Sequence, residues 1–253
     1  MEDIKIILIT QARYGSSRLP GKILKKINNE SLLKIHLNRL KKCNNVTEIH
    51  VATTNEIQDE VIYNTAIDWG FKSSRGSEHD VLDRFYNAVK NKNVDWIVRV
   101  TSDCPLIDPI LIDKIINYVV LSNKDYGSNI LIENFPDGQD VEVFKYSALE
   151  LAWKKSVLSS DREHVTTYIR NNSDFNGGSL FTSVNFPSNK NYSHIRMTVD
   201  EDLDLELITI LINELGTEKT WEEYTDFIIK NQLYKINSSI IRNEGLIKSL
   251  KND

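Results

Sequence analysis

Three cations, two serines and two glycines fall within Gln11-Ala-Arg-Tyr-Gly-Ser-Ser-Arg-Leu-Pro-Gly-Lys22, directly after the apolar run Ile4 to Ile9. A polyphosphate chain calls for such a set: cations offset its charge, and glycine lets backbone N–H groups approach without a Cβ in the way. Arg13, Arg18 and Lys22 supply the cations, and Gly15, Ser16 and Ser17 the small and hydroxyl residues between them. The spacing from Gly15 to Gly21 is one residue longer than in a P-loop, and Ile23 stands where a P-loop carries Ser or Thr. The segment therefore reads as a triphosphate cradle, but not as that of a P-loop ATPase or kinase.

A triphosphate usually brings a hard divalent cation with it, and two aspartates follow strand-like runs where such an ion would sit. Asp103 closes Val98-Arg-Val-Thr-Ser-Asp103, just past a strand end, where open α/β sheets bind their ligands. Asp200 closes Ile195-Arg-Met-Thr-Val-Asp200. A lone post-strand Asp is as readily a helix N-cap, and Asp200 precedes the amphipathic stretch Leu203 to Leu215. Two such residues beside a triphosphate loop favour a shared metal, with Asp202 able to assist and Asp204 expected to face solvent. The five His show no zinc spacing. Cys104 is not read as a nucleophile: Pro105 fixes its turn, no partner His is evident, and direct displacement at phosphorus needs no covalent intermediate.

Three further segments carry recognition chemistry. Arg75, Gly76 and Ser77 follow a short run and precede Asp80 to Lys90, and Gln11 and Ala12 offer an amide and backbone groups to a base. Pro136, Asp137 and Gly138 form a turn signal before a strand at Asp140 to Phe144. There Glu142 alternates with Val141 and Val143, so it faces away from them and either lines a pocket or meets water. Arg162, His164 and Arg196 are candidates for an anionic ligand, Arg through bidentate bonds and His through either protonation state. Arg162 and Glu163 could instead pair within a helix that buries Val165, Tyr168 and Ile169.

The elements that would position these groups alternate. Apolar runs at Ile4 to Ile9, Ile49 to Thr53 and Trp96 to Val100 are separated by amphipathic stretches at Ser31 to Lys42, Ile57 to Trp69 and Asp80 to Lys90, which argues for βαβ units and a mainly parallel sheet. Asp108 before Pro109 starts a further helix through Leu121. Helices are then expected at Ser147 to Lys155, Arg162 to Asn171, Leu203 to Leu215 and Trp221 to Lys230, and strands near Ser179 to Val184 and Ile195 to Val199. The 253 residues, 40% of them hydrophobic, can bury one substantial core. A single domain is expected over 1–253, with a nucleotide-binding part at about 1–125, an acceptor-binding part at about 126–215 and a helical tail at about 216–253 that ends in a peripheral helix or tail. A net charge of −5 with dispersed lysines gives no footprint for nucleic acid. Two separated cysteines, no apolar run of membrane-spanning length and no leader pattern make a cytoplasmic protein the expectation.

The loop Gln11 to Lys22 resembles the signature loop of the sugar-acid cytidylyltransferases that act on 3-deoxy-manno-octulosonate, and more distantly of the acylneuraminate enzymes. With Phe71 to Phe85, Arg99 to Pro109, Asp137 to Phe144, Arg162 to Arg170 and Arg196 to Glu206 added, the chain is most similar to the spore-coat polysaccharide type of cytidylyltransferase over most of residues 4 to 212. The resemblance implies an α/β, Rossmann-like, GT-A-like nucleotidyltransferase domain with a mainly parallel mixed sheet flanked by helices. It implies CTP as nucleotide, Mg²⁺ on Asp103 and Asp200, and base and ribose contacts from Arg75, Gly76 and Ser77. It also implies an anionic acceptor met by Asp137, Gly138, Glu142, Arg162, His164 and Arg196, and a homodimer. One departure stands out: Thr101 occupies the position of a Gln in the octulosonate enzymes, so the preference for cytosine comes from the resemblance rather than from that residue. Two other classes remain open: a glycosyltransferase of similar fold with Asp200 and Asp202 as its metal pair, and a nucleotide-binding regulator without turnover. The cations of the loop weigh against the first, since a nucleotide sugar has no γ-phosphate.

Overall fold

The structure, a computed structural model, describes residues 4–251 and Asp253. Strand β1 (Ile6–Gln11) alternates its side chains between two cores: Ile6 and Leu8 face one, Ile7 and Ile9 the other. After the 12–22 loop, a short hairpin of β2 (Lys26–Ile27) and β3 (Glu30–Ser31) leads into α1 (Leu32–Leu40), whose first turn is capped by the Ser31 hydroxyl accepting from the Lys34 N–H. The chain continues through β4 (Glu48–Thr54), α2 (Glu60–Asp68), β5 (Lys72–Gly76), α3 (Val81–Val89), β6 (Trp96–Thr101) and α4 (Pro109–Ser122). Asp108 caps α4 with Pro109 at its first position, as the sequence predicts.

The second half adds β7 (Tyr126–Ser128), β8 (Glu142–Lys145), α5 (Tyr146–Lys155), α6 (Ser159–His164), α7 (Thr167–Asn171), β9 (Ser183–Asn185), α8 (Asp202–Leu215), α9 (Trp221–Lys230) and α10 (Glu244–Leu250). The seven-stranded sheet runs β5-β4-β1-β6-β8-β7-β9, parallel except where β8 opposes β6 and β7. The chain leaves β1 toward β4 and β5, then returns to its other side at β6. The strand order therefore switches between β1 and β6, where the carboxyl ends of an open sheet leave a crevice. A third apolar cluster, built from Leu19, Ile27, Ile195, Met197 and the inward faces of α8 and α9, supports that crevice from one side.

Three sequence expectations change. Ile195 to Val199 is extended but joins no ladder; its single bridge is Asp137 to Arg196, and its N–H groups at Met197 and Val199 are taken by the carbonyls of Asp137 and Asp103. Arg162 to Asn171 is two short helices, because Val165 has a φ of 62° between them. The C-terminal stretch is helical as expected, but its end is not peripheral: α10 lies against α6, with the Ser249 hydroxyl on Glu163 and Asp253 accepting from the Ser160 N–H. No helix among the described residues is long and apolar enough to cross a membrane.

Candidate active site

The 12–22 loop is folded by its own backbone. The Tyr14 N–H donates to Asp59 at 2.6 Å, the Gly21 N–H donates back to the Tyr14 carbonyl, and Ser16 accepts from the Leu19 N–H. Gly21 sits at φ 65°, and a Cβ there would lie 2.8 Å from the Tyr14 ring, so the position requires glycine twice over. This closure drives Lys22 down into the crevice, where it is only 8% exposed. Its ammonium donates to Asp103 Oδ2 at 3.0 Å and to Asp200 Oδ1 at 2.7 Å. Burial opposes the charge on Lys22, but the two carboxylates outweigh it and raise its pKa. Burial likewise disfavours the Asp103 carboxylate, yet Lys22 and the Thr101 hydroxyl bring its pKa below the usual range.

Arg18 stands above this pair, 3.1 Å from Asp200 and 3.3 Å from Glu244 of α10, while Arg13 is 3.1 Å from Glu78 at the rim. Around them lies a cleft of about 470 Å³ that brings together Gln11, Ala12, Arg13, Ser16, Ser17, Arg18, Lys22, Thr101, Asp103, His164 and Asp200. Gln11 Oε1 is buried there without a hydrogen-bond partner among the described residues. Gly15, Arg75, Gly76 and Ser77 are not among the lining residues. Arg75 is held on the carbonyls of Thr54 and Glu56, and Ser77 accepts from the Asp80 N–H.

A side pocket of about 240 Å³ opens from the cleft past Thr101, Asp103 and His164. Asp137, Glu142 and Arg196 line it, but two of the expected anion binders are engaged by the protein's own groups. Arg196 is held by three carboxylates: its guanidinium donates to Asp137 at 2.5 Å, to Asp200 at 2.7 Å and to Asp204 at 2.9 and 3.0 Å. Arg162 lies outside the pocket, with Nε on the Ser156 carbonyl and Nη1 3.5 Å from Asp80. Gly138 is outside too; at φ 102° it presses on the Met197 backbone, where a Cβ would meet atoms at 2.7 Å. Glu142 does not face water: it is buried, 2.5 Å from Arg99, and accepts from the hydroxyls of Tyr126 and Thr166.

Asp204 is the clearest reversal. Expected at the surface, it is fully buried, binds Arg196 and Asn237, and accepts from the Asp200 and Glu201 N–H groups. The cap of α8 falls to Glu201 rather than Asp200, whose carboxylate is left for Lys22, Arg18 and Arg196. Asp202 is exposed on the first turn of α8 and lines neither the cleft nor the side pocket, unlike Asp200. Cys104 is buried and its thiol is pushed well up by burial and by Asp103, in keeping with a structural role.

The site also contains groups the sequence reading passed over: Arg84 in the cleft, Arg99 and Arg170 in the side pocket, and Glu244 and Lys248 from α10. A signal existed for two of them. Arg84 falls on the apolar stripe of α3, and Arg99 on the inward face of β6 shared with Ile97, where a charge needs a reason. The donor set suits Mg²⁺. Two carboxylates, Asp103 and Asp200, converge on one cation, the Lys22 ammonium, and offer the oxygen donors that a hard divalent ion takes. Among the described residues no group of three or more ligating side chains forms.

Comparison with known proteins shows the family of the chain. A cytidylyltransferase family model matches residues 7–235. An uncharacterized protein of Methanocaldococcus jannaschii is 40% identical over 241 residues, covering 94% of this chain and 96% of that one. The spore coat polysaccharide biosynthesis protein SpsF of Bacillus subtilis is 32% identical over 217 residues, 83% of this chain and 88% of that one. Among solved structures, a cytidylyltransferase from Leptospira borgpetersenii serovar Hardjo-bovis superposes with a TM-score of 0.84 at 30% identity, covering 95% of this chain and 99% of that one.

Proposed function

The chain belongs to the cytidylyltransferase family, and from that premise we propose that it moves CMP from CTP to an anionic small-molecule acceptor and releases pyrophosphate. A sugar acid, phosphorylated acid or phosphonate destined for a surface polysaccharide or glycoconjugate fits this reading, and the relationship to the B. subtilis protein supports it. The observation that carries it is the Lys22 ammonium bridging Asp103 and Asp200 where the triphosphate cleft meets a second pocket.

Positioning and charge neutralisation do most of the work in such a transfer. Arg13, Arg18 and Lys22 hold the departing pyrophosphate, Lys22 from the floor of the cleft and the arginines from its rim. Asp103 and Asp200 would hold Mg²⁺, which when bound neutralises phosphate oxygens and favours in-line displacement. Arg18 and Lys22 both contact the Asp200 carboxylate, so nucleotide binding redistributes these ion pairs rather than filling an inert cavity. Gln11 and Ala12 offer an amide and backbone to the base, and Thr101 a hydroxyl beside them. The acceptor sits in the side pocket. Arg170 lines that pocket and makes no hydrogen bond or ion pair with its guanidinium among the described residues, so its charge is available to the acceptor's anionic group. An acceptor attacking through an ionised phosphate or phosphonate oxygen needs no general base.

The test is pyrophosphate release with Mg²⁺ from each of the four nucleoside triphosphates, against sugar acids, phosphorylated small acids, sugar phosphates and phosphonates. Release with CTP and one anionic acceptor class supports the reading. Acceptor-dependent release that prefers another nucleotide contradicts it.

A further inference from the structure

Arg84 lies on the buried face of α3, among Val81, Leu82, Phe85 and Ala88. It is 4% exposed, and both Nε and Nη1 are buried without a hydrogen-bond partner among the described residues. The acids in its neighbourhood are engaged elsewhere: Glu78 pairs with Arg13, Asp59 accepts from Thr54 and from the Tyr14 N–H, and Asp80 caps α3 and faces Arg162. A cation taken out of water and left without a partner opposes folding, so its retention calls for something that completes it. Burial and then Arg13 hold its pKa down to about 10, which still leaves it charged at neutral pH.

What could complete it is on the open side. Arg84 lines the nucleotide cleft together with Arg13, Ser16 and Lys22. Its approach depends on Gly76, where a Cβ would stand 2.7 Å from Arg84 Cγ. Gly76 has no positive φ, so room for this side chain, not a turn, is what the glycine provides. Neutral cytosine or ribose would leave the buried charge uncompensated. A phosphate offers both a compensating charge and two acceptors that match the guanidinium fork.

We propose that Arg84 is a nucleotide-binding residue that supplies a fourth cation to the phosphate chain of CTP, beside Arg13, Arg18 and Lys22, and that Gly76 is a positioning residue that makes room for it. The proposal rests on the cytidylyltransferase reading and adds to it a group outside the signature loop. It also gives Gly76 a part in the site although it does not line the cleft.

The experiment is calorimetric binding of CTP, CMP and cytidine to the wild type, Arg84→Met, Arg84→Lys and Gly76→Ala, with melting temperatures recorded without nucleotide. Arg84→Met should bind CTP roughly tenfold or more weakly, lose less for CMP and nothing for cytidine. Without nucleotide it should melt no lower than the wild type, because an unpaired buried charge has been removed. Gly76→Ala should share the selective loss for CTP, and Arg84→Lys should fall between Arg84→Met and the wild type. Unchanged CTP affinity in Arg84→Met, equal losses for CTP and cytidine, or a large drop in melting temperature would each overturn the proposal. A wild type that binds another triphosphate in place of CTP would instead overturn the cytidine reading, and the Arg84 comparison would then be made with that nucleotide.

Discussion

At the scale of residues, the site is a chain of shared charges: Lys22 joins Asp103 to Asp200, and Arg196 joins Asp200 to Asp137 and Asp204. In the proposed transfer Lys22 is the cation on the floor of the cleft that holds the departing phosphates, so Lys22→Ala should lower turnover on the order of 10²-fold or more; a near-normal kcat would contradict the cradle. Asp204 is fully buried, lines neither cavity and is held by Arg196 and Asn237. Removing one member of a buried ion network costs roughly 3–5 kcal/mol, so Asp204→Ala should lose about that much in denaturant unfolding, whereas a loss well under about 1 kcal/mol would contradict its place in the network. Arg170→Ala should raise KM for the acceptor about tenfold or more while leaving KM for CTP unchanged, and equal changes in both would move the acceptor's anion elsewhere. The signature loop and both aspartates could be read from sequence because cations and carboxylates at strand ends are unusual in themselves. The fate of Arg196 and Asp204 could not. Spacing shows that a charge is present, but only the fold shows whether its partner is a substrate or a neighbouring side chain.

At the scale of elements, α1 is tied to the Asp103 turn by His36. Its Nδ1 lies 2.9 Å from the Cys104 carbonyl and must donate to it, which leaves Nε2 to accept from the Thr10 hydroxyl at 3.0 Å. Burial holds the pKa of His36 down to about 4, and burial followed by Lys92 does the same for His50. In the unfolded chain both titrate near about 6.5. Between these values the unfolded state binds more protons, so stability is retained above about pH 6.5 and falls as pH drops toward 4, by up to about 1.4 kcal/mol per pH unit for each histidine. Urea midpoints across that range check it, and a flat profile from pH 6.5 to 4.5 would contradict the neutral buried pair. Helices with a Ser or Asp cap were legible almost to the residue, as at Ser31, Asp80 and Asp108, because capping and apolar periodicity are local. The break at Val165, the unpaired stretch at Ile195 to Val199 and the docking of α10 depend on distant contacts, which local pattern does not carry.

At the scale of the molecule, two cores on opposite faces of one sheet and a third under α8 and α9 share strands and buried polar links. Among these links, Asp108 caps α4 and also accepts from the Trp221 N–H of α9. We therefore expect one calorimetric unfolding transition for the whole chain, with van't Hoff and calorimetric enthalpies in agreement; two separated transitions would mean that the acceptor-binding half folds on its own. The parallel order of the first strands followed from their alternation with helices, whereas the reversal at β8 was not visible in a four-residue strand. The central claim is that bond cleavage falls at the α-phosphorus of CTP. It is tested most directly by following two labelled forms of CTP, one at the α-phosphorus and one at the γ-phosphorus, in the presence of an acceptor that turns over. The account predicts that the α label is transferred to the acceptor while the γ label leaves as pyrophosphate. A γ label found on the acceptor, or an acceptor product carrying no phosphorus from CTP, would contradict it.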